Sequence, residues 1–144
     1  MNHSRRDLAM LLPALAAATA AAQEKSEKPL LPERTWSYED LPVKVNGSNK
    51  TRAVFDAVTH TGYPVEVHIT ELGPGMAPHP PHRHPHEELV MVRRGVLDVT
   101  LSGKTTRIGP GSVVATKSNE MHGWKNPGPD SSEYFVIALG PKKA

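Results

Sequence analysis

Four histidines fall within eight residues of this 144-residue chain: His79, His82, His84 and His86. Glu87 and Glu88 follow at once. Imidazole and carboxylate are the side chains that bind divalent transition metals such as Fe, Mn, Ni, Co, Zn or Cu. On an extended segment His82 and His84 point to the same side, because strand side chains repeat every two residues. Their rings can then meet one ion, and a carboxylate on the next strand could reach it too. Pro85 interrupts the ladder, so the parity does not carry through to His86 or Glu88. The cluster taken alone also fits a solvated His- and Pro-rich loop that holds ions loosely.

The elements that must position these residues are strands. Thr51–Val58 is an apolar-rich run. Pro64–Leu72 alternates, with Val65, Val67 and Ile69 on one side and Glu66, His68 and Thr70 on the other. That pattern predicts a core-facing apolar side and a solvent-facing His68; if the alternation is inverted, His68 would line the cavity. Leu89–Arg93 and Val96–Leu101 flank Arg94-Gly95, which reads as a hairpin turn with solvated arginines. Lys104–Ile108, Ser112–Thr116 and Glu133–Leu139 complete the set, and Met91 is expected to face the interior. Proline and glycine supply 25 residues, mostly at the breaks between these runs. Short strands with such punctuation indicate an all-β sandwich or barrel.

The spacing around the cluster resembles the cupin family. Gly75 is followed by six residues, His82-Arg83-His84, three residues, Glu88, six residues and Gly95. Downstream, Gly111 is followed by five residues, Lys117-Ser118-Asn119, two residues, His122, three residues and Asn126. These match the two motifs of that family, except that one extra residue follows Gly75 and that Lys117 and Asn119 stand where it has Pro and Gly. Asn tolerates positive φ better than most residues, so the turn can still form. The resemblance covers Val65–Leu139. It implies a single-domain double-stranded β-helix, the jelly-roll barrel, with His82, His84, Glu88 and His122 as ligands of one divalent metal ion. Glu88, not Glu87, keeps the six-residue step to Gly95. Asn126 is expected to bond backbone near the turn, Trp124 to pack or form cavity wall, and His79 and His86 to be polar neighbours of the ligands.

Metal-dependent cupins include dioxygenases, isomerases and decarboxylases, so the resemblance implies an enzyme acting on a small polar molecule. A non-enzymatic carbohydrate- or metal-binding module is the alternative, favoured by the lack of an evident acid/base partner for the metal. A homodimer is expected, since pairing covers exposed sheet edges.

The N-terminal residues read as an export signal. Arg5 and Arg6 precede the alanine-rich run Leu8–Ala22, which ends in Ala20-Ala21-Ala22. Ser4-Arg5-Arg6-Asp7-Leu8 is similar to twin-arginine signals, which export folded proteins, although Ala9 and Met10 depart from the pattern. The expected organisation is a signal at 1–22, a flexible linker at 23–34, a barrel at 35–140 and a tail at 141–144. Trp36–Leu41 is the first expected ordered element. The expected location is the periplasm or beyond, with no stable membrane anchor after cleavage.

Removing 1–22 takes away two basic residues and one acidic one. The remainder carries 15 Lys+Arg against 14 Asp+Glu, a net charge of +1. That balance argues against nucleic acid or anionic membrane as an obligate partner. With no cysteine, disulfide scaffolds, thiolate nucleophiles and lipoprotein anchors are excluded.

Overall fold

The computed structural model describes residues 28–142. The expected export signal, and the first part of the expected linker, lie outside the described residues. Nine strands follow one another: β1 (Val43–Asn46), β2 (Asn49–Val58), β3 (Pro64–Leu72), β4 (Glu87–Arg94), β5 (Leu97–Leu101), β6 (Lys104–Ile108), β7 (Val113–Thr116), β8 (His122–Lys125) and β9 (Ser132–Leu139). The one helical element among the described residues is a 3₁₀ turn at Tyr38–Asp40. The fold is all-β, a jelly roll of two antiparallel sheets. The larger has the order β1-β2-β3-β9-β4-β7 and the smaller β6-β5-β8.

Alternation decides which side chains face inward. β9 pairs antiparallel with β3 along its length and with β4 up to an irregularity between Val92 and Arg94, with Thr70 opposite Tyr134, and Val136 opposite both His68 and Val90. Residues of this parity meet the small sheet. Leu72, Val90, Val92, Tyr134 and Val136 pack against Leu97, Val99 and Trp124 in one core cluster. Each such side chain, fully buried, contributes about 1.5–3 kcal/mol.

The opposite parity faces outward, and here two expectations are corrected. Val65, Val67 and Ile69 do not point into the barrel; His68 and Thr70 do, and His68 lines the cavity described below. The outer face is apolar because the segment before β1 covers part of it. Trp36 packs on Phe55 with ring centroids 5.2 Å apart, and the Tyr38 hydroxyl donates to Glu133. Met91 is likewise outward and 42% exposed, not interior.

Arg94-Gly95 is a turn but not a hairpin. β4 and β5 belong to different sheets, so the turn carries the chain across the barrel. Gly95 has φ +74°, and a Cβ there would lie 2.5 Å from Ser132 Oγ, so only glycine fits. Nor are the arginines free. Arg93 pairs with Glu133 at 2.6 Å, a carboxylate with no exposure, and Arg94 pairs with Glu71 at 3.0 Å. Ser102-Gly103, by contrast, is a true hairpin turn between β5 and β6. Both residues have positive φ, as the twist of a two-residue turn requires.

Within the span expected to be linker, Leu30 bridges to Val58. At the other end, Lys142 pairs with Asp56 and Glu66.

Candidate metal centre

Backbone pairing brings the two histidine segments together. His82 and His122 form an isolated antiparallel bridge, each N–H donating to the other's carbonyl at 3.0 Å. The Asn119 N–H donates to the His84 carbonyl at 2.8 Å. Asn119 has φ +59°, which is how the turn forms without the family's glycine. Glu88 enters from β4 with the inward parity of Val90 and Val92.

The ring nitrogens are then aimed by local hydrogen bonds. A carbonyl only accepts, so the His84 Nδ1–H donates to the His86 carbonyl (2.8 Å) and the His122 Nδ1–H to the Glu120 carbonyl (2.9 Å). Each bond fixes the tautomer and leaves the Nε2 lone pair free, the usual device around metal-binding imidazoles. Glu88 Oε2 lies 3.4 Å from His84 Nε2 and 3.5 Å from His122 Nε2. Ligand nitrogens of His82, His84 and His122 all lie within 4.8 Å of one another.

This donor set fits a metal ion. Buried His84 Nε2, His122 Nε2, Glu88 Oε2 and His82 Nδ1 have no hydrogen-bond partner, and leaving such atoms bare is costly. Metal–ligand bonds of about 2.1 Å put neighbouring donors about 3.0–3.4 Å apart, close to the contacts between Glu88 and the two imidazoles. His84, His122 and Glu88 therefore meet at one place, and His82 offers a ring nitrogen within 4.8 Å of those of His84 and His122. Glu87 is exposed and does not join them. His86 does come close, its Nε2 3.4 Å from Glu88 Oε1, and its ring stacks on His84. His79 sits at the rim against His82, with centroids 4.1 Å apart.

Glu88, alone of the four, lines a cavity of about 370 Å³. Its wall includes residues the sequence reading did not assign to a site. Lys44, Thr51, Thr70 and Tyr134 form one cross-strand row from the edge of the large sheet to the barrel interior. The signal that could have found Tyr134 is its alternation with Val136 and Ala138 in β9. Trp124, expected as wall or packing, is both. Its ring forms part of the wall and its Nε1–H donates to the Tyr134 hydroxyl at 2.8 Å. Burial pushes the Tyr134 phenol far up, so it stays protonated. His68 Nδ1 lies 3.3 Å from Glu66, whose carboxyl is held down to about 2, first by His68 and then, against burial, by Lys142.

Burial, reinforced by His79 and the other imidazoles, pushes His82 down from 6.5 to about 4. The folded value lies below the unfolded one, so between about 6.5 and 4 the unfolded chain binds the extra proton. The stabilisation is therefore present above 6.5 and lost as pH falls through that window. Thermal unfolding of the metal-free protein should lose about 1–2 kcal/mol from this group on going from pH 7 to 4, after allowance for solvent screening. A His82→Gln variant should show a correspondingly flatter acid limb; an unchanged one would refute the assignment.

By sequence, residues 68–138 match the model of the Cupin domain family. No curated protein matches the chain. Solved structures do, by shape. An RmlC-like cupin from Shewanella frigidimarina is 14% identical with a TM-score of 0.65, covering 77% of this chain and 94% of its own. The polyketide cyclase RemF from Streptomyces resistomycificus is 19% identical at 0.66, covering 78% and 83%. A predicted oxalate decarboxylase from Thermotoga maritima is 17% identical at 0.62, covering 75% and 100%. Identities this low speak for the fold alone; by sequence it is the segment 68–138 that resembles the Cupin domain family.

Proposed function

We propose that the protein is an exported, metal-dependent cupin enzyme acting on a small polar molecule. His82, His84, Glu88 and His122 are its ligands for one divalent transition metal ion, of the Fe, Mn, Ni, Zn, Co or Cu series. The observation that carries this is the group of buried, unpartnered ring nitrogens around the Glu88 carboxylate, which itself lines a cavity. Three imidazoles and a carboxylate leave one or two positions of a five- or six-coordinate ion open, where substrate oxygens can bind. The metal would act there as a Lewis acid or oxygen site, in a reaction of dioxygenase, isomerase or decarboxylase type.

The chain's own residues supply the rest. Tyr134 presents a protonated hydroxyl, Thr51 and Thr70 add hydrogen-bonding groups, and Lys44 places a cation at the mouth. His68 and His79 are the cavity imidazoles outside the ligand set, and are the candidates to move a proton. Structural neighbours that include a cyclase and a predicted oxalate decarboxylase are in keeping with an enzymatic role.

Export rests on the N-terminal signal pattern. Pairing into a homodimer is supported by an apolar rung on the outer face, where Met91 stands opposite both Phe135 and Val113. Val113 is 60% exposed.

The test is turnover by the mature chain loaded separately with Fe, Mn, Ni and Zn. Oxygen uptake, isomerisation and CO₂ release would be followed across a panel of sugar acids, short keto acids and diols. Activity with one metal, abolished by chelator and restored by that metal, is expected. Ligand-induced thermal shifts without turnover anywhere on the panel would replace the enzyme with a binding module.

A further inference from the structure

His84 belongs to two overlapping groups of potential ligands, one with His82 and His122 and one with His86 and Glu88, and Glu88 also reaches His122. These are not two metal sites. The Nδ1 of His84 is committed to the His86 carbonyl, so His84 has one lone pair to give. Nor can His86 join the ion that His84 binds. The two rings stack with centroids 3.5 Å apart and planes 4° from parallel. An imidazole binds a metal in its own ring plane, along the nitrogen lone pair. Rings in van der Waals contact hold their planes about 3.5 Å apart. An ion in the plane of His84 therefore lies about that far off the plane of His86, outside bonding range.

What His86 does face is the other half of the carboxylate. Its Nε2 is 3.4 Å from Glu88 Oε1, while Oε2 faces His84 and His122. The contact is long, and a small turn of the carboxylate closes it to a hydrogen bond. The tautomer follows from burial. Nδ1 of His86 is buried without a partner, and a bare N–H there would cost more than a bare lone pair. The proton of the neutral ring therefore sits on Nε2, where Oε1 can accept it.

We propose that His86 is a positioning residue that occupies Glu88 Oε1, so that only Oε2 is presented to the metal. Glu88 then binds through one oxygen, and a coordination position stays open toward the cavity. This rests on the metal centre proposed above and extends it. Outer partners of this kind commonly change metal affinity by about 10–100-fold when removed.

Two substitutions separate the hydrogen bond from the stacking. His86→Phe keeps a ring against His84 and loses the donor; His86→Gln keeps a donor and loses the ring. Zn²⁺ affinity by chelator competition, and the number of oxygen neighbours by X-ray absorption of the Co²⁺-loaded protein, are read for each. His86→Phe is expected to bind Zn²⁺ about 10-fold or more weakly, with Glu88 turned to two-oxygen binding. His86→Gln is expected to stay close to the parent in both readouts. If His86→Phe matches the parent, or if His86→Gln is the more impaired, the positioning role is overturned. If the parent itself takes up no Zn²⁺ or Co²⁺, the metal centre falls, and this inference with it.

Discussion

Replacing His122 with alanine is expected to take tight metal binding from about one ion per chain to almost none. His122 is 1% exposed and holds its Nε2 toward Glu88 Oε2 at 3.5 Å. No neighbour can take its place. His86 is stacked off-plane, and His79 lies at the rim beyond His82. Four-ligand structural sites bind with about 10–16 kcal/mol, so one ligand is worth roughly 3 kcal/mol, or more than about a hundredfold in affinity. The backbone bridge between His82 and His122 does not involve the ring and should survive, so the variant should fold. It also loses the stacking of His122 on Trp124, where centroids are 5.7 Å apart, and some stability with it. Metal analysis beside calorimetric titration of parent and variant provides the check. A loosely binding His-rich loop makes the opposite prediction: several weak ions per chain, unchanged in His122→Ala. That result would remove the reason for treating these residues as one centre.

The site was more legible in the sequence than the surface around it, for a physical reason. Ligand geometry depends on residue type and step length, and the steps from His82 through Glu88 to Gly95 are visible in the chain. The strand parity argued for His82 and His84 applied to a segment that is mostly not strand. His82 lies in an isolated bridge, and 83–86 are irregular. What brings these segments together is the backbone pairing of His82 with His122 and of Asn119 with His84, contacts made by the fold and written in no local pattern.

His68 shows where hydropathy runs out. A face lining a polar cavity and a face meeting water select the same side chains. The outer face of the large sheet, meanwhile, is partly covered by Trp36 on Phe55 and Tyr38 at Glu133, so apolar residues stand there too, and the alternation of Pro64–Leu72 therefore read inside out. β8 carried no signal either. His122-Gly123-Trp124-Lys125 is short and has neither alternation nor β-branched residues, and it is a strand because β5 pairs with it. The crossing at Gly95 is similar. A turn glycine announces a turn, but whether the next strand returns to the same sheet is settled by partners distant in sequence.

Asn126→Ala is expected to be the most damaging single change to stability outside the hydrophobic core. Asn126 has no exposure. Its Nδ2 donates to the carbonyls of Leu72 (3.2 Å), Gly73 (3.0 Å) and Asp130 (2.7 Å), two protons shared among three acceptors. Its Oδ1 accepts from the Gly128 N–H at 2.9 Å, and its own N–H reaches the Met76 carbonyl at 2.8 Å. One side chain thus joins the end of β3 to the 126–130 turn, while its backbone holds the loop leading to the histidines. Alanine keeps only the backbone bond. The stranded carbonyls at Leu72 and Gly73 lie beside a tight core, so water cannot freely replace the lost donor, and each unsatisfied group costs about 1–3 kcal/mol. A total of about 3–5 kcal/mol follows, a fall in Tm of about 10 °C or more for a domain of this size. Asn126→Asp separates hydrogen bonding from volume. It keeps the shape but turns a donor into a charged acceptor facing three carbonyls, so at neutral pH it should be at least as damaging as alanine. Protonation restores one donor, and the aspartate variant should recover part of its deficit relative to the parent as pH falls toward 4. Chemical denaturation of the three proteins at pH 7 and at pH 4.5 measures both effects. An aspartate variant as stable as the parent at pH 7 would mean that the donated bonds do not hold the turn, and that packing around Asn126 does.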